Sequence, residues 1–127
     1  MKAKPDPYKT LLQAFLPEEI FDYFEIVRID SHNDSFDVHL DELNLIPKEY
    51  EKDILISKGF HDSVCIQDFP IRKKAVYLHV RRRKWYDKTA NKIVSNSWDL
   101  TTKGTRYTKD FATFLKGIFG QVPNKQS

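Results

Sequence analysis

Between Ala75 and Trp85 apolar and polar residues alternate, so that in an extended strand Val76, Leu78 and Val80 share one face while Tyr77, His79, Arg81, Arg83 and Trp85 share the other. A period of two over this length is a strand signal and demands a sheet with one buried side. The chain offers partners for such a sheet. Residues 24–29 and 35–40 flank a polar stretch at 30–34 that is rich in turn formers, which predicts a β-hairpin. Residues 64–67 predict a further strand before an Asp68-Phe69-Pro70 turn, and residues 92–98 another after a turn at 87–91. Residues 41–53 are acidic and contain Pro47, which reads as a surface loop or one short helical turn.

Helical signals frame these strands. Asp6 reads as an N-cap ahead of Pro7, opening a short helix that offers Leu11, Leu12, Phe15 and Leu16 to a core. Pro17, Glu18 and Glu19 mark a second start that leads into Ile20 and Phe21. Past Gly104, Thr108 caps a helix whose Phe111, Phe114, Leu115, Ile118 and Phe119 form one apolar stripe, closed by Gly120 with Pro123 beyond it. The expected fold class is α+β: an antiparallel β-sheet built from hairpins, with short N-terminal helices and an amphipathic C-terminal helix covering the sheet. A chain of 127 residues that is 40% hydrophobic can bury one core. A single domain over 1–127 is expected, ordered over about 6–120 with a flexible tail at 121–127.

Charge is divided between the two halves. Residues 1–63 carry seven Lys and Arg against fourteen Asp and Glu, a net of −7, while residues 64–127 carry fourteen against four, a net of +10. The basic half peaks in Arg81-Arg82-Arg83-Lys84 and passes at once into Trp85 and Tyr86, an electrostatic footprint for a polyanion such as DNA. The candidate nucleic-acid contacts are Arg72, Lys73, Lys74, Arg81, Arg82, Arg83, Lys84, Trp85, Lys103, Arg106 and Lys109. Each has a plainer competing reading. The Arg81 to Trp85 segment also fits an edge strand guarded by charge, and Arg72, Lys73 and Lys74 also fit a solvated turn. Thr105, Arg106 and Thr108 either present donors to a phosphate or merely cap a helix. Trp85 and Trp98 either pack across a hairpin or stack on unpaired bases.

Catalytic signals are weak. The single Cys65 rules out an internal disulfide and a multi-cysteine zinc site, and fits a reducing compartment. His32, His39, His61 and His79 show no ligand spacing, and Ser31-His32-Asn33-Asp34 reads as a turn between strands. No cofactor or metal is expected. No run approaches the roughly 18 apolar residues that cross a bilayer, and the N-terminus lacks a signal-peptide apolar region, so a cytoplasmic protein without a membrane partner is expected.

Gly59-Phe60, Ile66-Gln67-Asp68-Phe69-Pro70-Ile71-Arg72, Val76-Tyr77-Leu78, Arg82-Arg83-Lys84-Trp85, Trp98-Asp99-Leu100, Lys103-Gly104-Thr105-Arg106 and Thr108-Lys109-Asp110-Phe111, in this order, resemble the short transposase N-terminal-region proteins of bacterial insertion sequences. The resemblance runs from Leu11 to Ile118. It is also similar to the amino-terminal region of longer transposases, in which paired cysteines hold zinc; the corresponding stretches here, 45–56 and 85–91, contain none, so zinc is not carried over. The resemblance implies a non-catalytic module that binds DNA at transposon ends, with a separate catalytic partner carrying an Asp-Asp-Glu metal site. The alternative is a protein-interaction subunit that docks this transposase without strong DNA binding of its own. A stand-alone nuclease lacks a convincing metal or general-base cluster.

Overall fold

A computed structural model of the chain describes residues 7–98 and 107–120, with side chains over 10–98 and 107–119. The alternation begins as expected in β5 (Lys74–Arg81), where Val76, Leu78 and Val80 are fully buried. On one flank β5 pairs antiparallel with β4 (Val64–Ile71); on the other it meets β2 (Ser35–Glu42), which forms a hairpin with β1 (Phe24–Ser31). The sheet order is β1-β2-β5-β4.

The two hairpins join by a parallel seam, which departs from the expected all-antiparallel pairing. Phe36 lies opposite Val76, Val38 opposite Leu78 and Leu40 opposite Val80, so two apolar rows of the same phase merge into one core face. The other face of the seam pairs Asp37 with Tyr77, His39 with His79 and Asp41 with Arg81. The turn of the β4–β5 hairpin also falls later than expected. β4 runs on through Asp68, Phe69 and Pro70, and Arg72-Lys73 make the turn. Pro70 is tolerated because it sits on an edge strand, at a register shift where the ladder requires no N–H from it.

The alternation does not continue to Trp85 in one strand. At Arg82 the chain leaves the first sheet: the Arg82 carbonyl accepts the N–H of His61, and the Arg83 N–H is donated to the Glu42 carboxylate, so the backbone is satisfied outside the β5 ladder. β6 (Arg83–Asp87) then becomes the middle strand of a second sheet, between β3 (Leu55–Phe60) and β7 (Lys92–Val94). Gly59, at φ +92°, supplies the left-handed residue where the β3–β6 register shifts.

Among the described residues three α-helices complete the fold: α1 (Pro7–Leu12), α2 (Ile20–Tyr23) and α3 (Lys109–Gly120). Leu12, Leu16, Ile20, Phe21 and Phe24 enter one core with Val38, Leu40, Val76, Leu78, Val80, Trp98, Phe111, Phe114, Leu115 and Ile118. Leu11 and Phe15, expected in that core, are 60% and 49% exposed, because six residues of helix present only one narrow stripe to the sheet. α3 lies over β4, and a Cβ added at Gly117 would stand 3.4 Å from Ile66 Cδ1. Residues 41–53 prove mixed: Asp41 and Glu42 end β2 and are buried, and a single 3-10 turn covers Lys48–Tyr50. The proposed cap Asp6, the Gly104 region and the 121–127 tail lie outside the described residues. Among the described residues no helix is long and apolar enough to cross a membrane.

Candidate nucleic-acid interface

The basic segment at 81–85 is drawn into the joint between the two sheets. Arg81 donates from Nε and Nη2 to the two carboxylate oxygens of Asp41, its neighbour across the parallel seam, at 2.7 and 2.6 Å, and its guanidinium lies 4.2 Å from the Phe60 ring centre. Arg83 donates to the Glu42 carbonyl at 3.1 Å and to Ser57 Oγ at 2.6 Å, and its guanidinium lies 4.6 Å from the same Phe60 ring centre. Arg82 is half-buried, 5.0 Å from the Phe119 ring, and desolvation lowers its pKa. The acids that end β2 thus engage Arg81 at the end of β5 and Arg83 at the start of β6. Glu42 itself is 3% exposed, and burial pushes its carboxyl up to about 7, against the opposing pull of the Arg83 N–H and the Arg82 and Arg83 charges. His61 is held below its ordinary value, first by burial and then by Arg82 and Lys84.

Both plainer readings of this segment need correction. β5 lies between β2 and β4, and β6 between β3 and β7, so neither is an edge strand that charge must guard. Trp85 is fully buried and donates from Nε1 to Asn44 Oδ1 at 2.8 Å, which removes it as a base-stacking residue. Nor does it pair with Trp98. Trp85 stands opposite Val94, whereas Trp98 packs in the main core, 4.9 Å from the Tyr23 ring and 5.9 Å from Phe111.

The remaining candidates divide. Lys74 is anchored, its Nζ donating to the His32 carbonyl at 2.8 Å and lying 4.8 Å from the Phe36 ring. Arg72 and Lys73 are exposed in the hairpin turn, Lys109 is exposed at the start of α3, and Lys84 is half-exposed on β6. Thr108 behaves as a cap: its Oγ1 accepts the Phe111 N–H at 3.2 Å, and its own N–H and hydroxyl are donated to Glu19. Lys103, Thr105 and Arg106 lie outside the described residues.

Two constellations escape sequence reasoning. The parallel seam gathers three histidines whose spacing carried no signal. His79 Nε2 lies 2.7 Å from one oxygen of Asp37 and His32 Nε2 lies 2.9 Å from the other, while the His39 and His79 rings stack at 4.7 Å. His79 is the main cause that holds the Asp37 carboxyl below its ordinary value, with His32 adding to it. Cys65 stands across from His79, but desolvation followed by the Asp37 charge pushes its thiol up, opposite to what a nucleophile requires. Among the described residues no group of three or more His, Cys, Asp or Glu is placed to hold a metal ion. The second constellation is Asp53 with Asp87. Interaction with Asp87, ahead of desolvation, raises the Asp53 carboxyl. Asp87 Oδ1 accepts the N–H groups of Thr89 and Ala90 at 2.9 and 3.1 Å, which clasps the β6–β7 turn. Comparison with protein-family models, with curated proteins and with solved structures finds no match to this chain.

Proposed function

We propose that this chain is a non-catalytic nucleic-acid-binding module that supports insertion-sequence transposition in the cytoplasm, beside a separate catalytic transposase carrying an Asp-Asp-Glu site. The observation that carries this reading is the set of cations the fold leaves over. In the basic half Arg72, Lys73, Lys84, Lys88, Lys92, Lys109 and Lys116 make no ion pair among the described residues, in contrast to Arg81 with its Asp41 partner. Distributed over a hairpin turn, the second sheet and α3, they suit phosphate contacts with little sequence preference. The reading moves the interface away from Arg81 and Arg83, whose side chains tie the end of β2 to Phe60 and Ser57 of β3, and from the half-buried Arg82 and the buried Trp85. Fluorescence anisotropy with a labelled duplex at several salt concentrations tests it. Affinity is expected to fall with a log–log slope of about −0.9 per neutralised phosphate. No binding at low salt would refute it.

A second reading, docking onto the catalytic transposase, draws on the open face of the second sheet. Ile56, Tyr86 and Ile93 form one cross-strand row there, with Ile54 at its end, and the three isoleucines are 48%, 49% and 62% exposed for Ile56, Ile93 and Ile54 respectively. Under this reading Ile56→Asp abolishes co-elution with purified transposase while DNA affinity is unchanged.

A further inference from the structure

The β4–β5 hairpin ends in a turn whose residues are unusual for its geometry. Ile71 pairs with Lys74, leaving Arg72 and Lys73 as a two-residue connection with φ of 50° and 71°. Positive φ at both central positions is the type I′ arrangement, which Asn-Gly adopts readily and which long side chains occupy only with strain. Neither side chain gains a hydrogen bond or ion pair among the described residues that would offset the strain. No contact among the described residues accounts for two cations here, and backbone strain of this kind clusters at ligand-contacting and other functional sites.

A second observation lies immediately before the turn. Between Asp68 and Ile71 the register slips by one residue, so Phe69 and Pro70 together oppose Ala75. A bulge of this kind re-aims a side chain. Phe69 is 82% exposed, the most exposed large apolar residue among those described, and its N–H is donated to Asp68 Oδ1 at 2.8 Å. Lys74 holds the base of the turn against His32 and Phe36. The acids nearest in sequence on the two adjoining hairpins are Asp34, whose carbonyl accepts the Ala75 N–H, and Asp68.

We infer that this tip is the element that engages duplex DNA, with Arg72 and Lys73 on backbone phosphates and Phe69 as an apolar wedge against a base step. The inference rests on the nucleic-acid reading above and gives it a location and a mode. Cations on phosphates fix position, while a phenyl inserted between base pairs unstacks them. A protein hot spot sits at the centre of a patch whose rim excludes water. One ring on a charged tip instead has the form of an insertion.

The test uses the full chain and a fluorescein-labelled duplex of mixed sequence, with a second duplex carrying 2-aminopurine to report unstacking. Arg72→Asn with Lys73→Gly supplies the residues the turn favours. This double variant is expected to melt a few degrees higher, to bind DNA about tenfold more weakly at low salt, and to lower the salt slope by about 0.9 for each cation removed. Phe69→Ala is expected to retain the slope, weaken binding several-fold and abolish the rise in 2-aminopurine fluorescence. A wild-type chain that binds DNA while both variants match it in Kd and slope overturns the inference and leaves the nucleic-acid reading standing. An unchanged 2-aminopurine signal in Phe69→Ala overturns the wedge. A wild-type chain that binds no DNA overturns the reading on which the inference rests.

Discussion

Replacing Glu42 by Gln is expected to stabilise the fold above neutral pH and to change little in acid. Glu42 ends β2 with its side chain 3% exposed, and its Oε1 accepts the Arg83 N–H at 2.9 Å. Burial outweighs the Arg83 hydrogen bond and the Arg82 and Arg83 charges, lifting the carboxyl from 4.5 to about 7. The folded protein therefore holds this proton more tightly than the unfolded chain does. Stability contributed by the protonated form is complete below about pH 4.5, declines between there and about pH 7, and is lost above. At about 1.4 kcal/mol for each tenfold change in proton affinity, the penalty in the ionised state has an upper bound near 3 kcal/mol, and about 1–3 kcal/mol is a reasonable expectation. Gln retains the carbonyl acceptor for the Arg83 N–H and removes the buried charge. Urea denaturation at about pH 8 and about pH 4 reads the difference directly, as a higher midpoint for Glu42→Gln at the first and near-coincident curves at the second. A variant less stable than the parent at the higher pH would refute the reasoning, because the carboxylate would then be needed to balance Arg82 and Arg83.

Changing Arg81, Arg83 and Lys84 together to Gln is expected to cost about 2–4 kcal/mol of stability, since it removes the pair with Asp41 and the Arg83 bonds to Glu42 and Ser57. Thermal melting as high as that of the parent would instead return these side chains to the surface role that their sequence suggests. Gly59→Ala is expected to cost about 1 kcal/mol from backbone conformation alone, because an added Cβ meets nothing within 4 Å while φ is +92°; chemical denaturation checks it, and an unchanged midpoint would contradict it. Melting curves with and without a chelator are expected to coincide, and a large drop on chelation would reveal a structural metal site.

How far the sequence foretold this molecule depends on whether the signal was local. The alternation at 76–80 and the α3 stripe from Phe111 to Ile118 report burial on one face of one element and appear where expected, and the β1–β2 turn falls inside the expected 30–34 stretch, at 32–34. β3 was missed because its buried and exposed positions do not alternate: it runs intermediate, four exposed, intermediate. The break at Arg82 was hidden because residues 83–85 continue the period of two in a different sheet. The candidate site suffered most. Nothing local to Arg81 or Arg83 announces Asp41 and Glu42, which arrive from forty residues away through a parallel pairing, and the same pairing assembles His39 with His79. Asp68-Phe69-Pro70 reads as a turn in the sequence, whereas the bulge makes Phe69 the most exposed ring described.

The parallel seam also governs the order in which this chain assembles. It joins residues 35–41 to residues 75–81, and closing a loop of about forty residues costs about 3 kcal/mol of chain entropy before any contact offsets it. Each hairpin, by contrast, closes across a short turn, so the β1–β2 and β4–β5 units are expected to form early and their union to be the slow, non-local step. Residues 24–42 carry one arginine against six acids, and residues 64–81 carry four cations against one aspartate. That non-local encounter joins segments of opposite net charge, so refolding followed by stopped-flow fluorescence is expected to accelerate as ionic strength falls. The uneven distribution of charge along the chain steers the protein's own collapse.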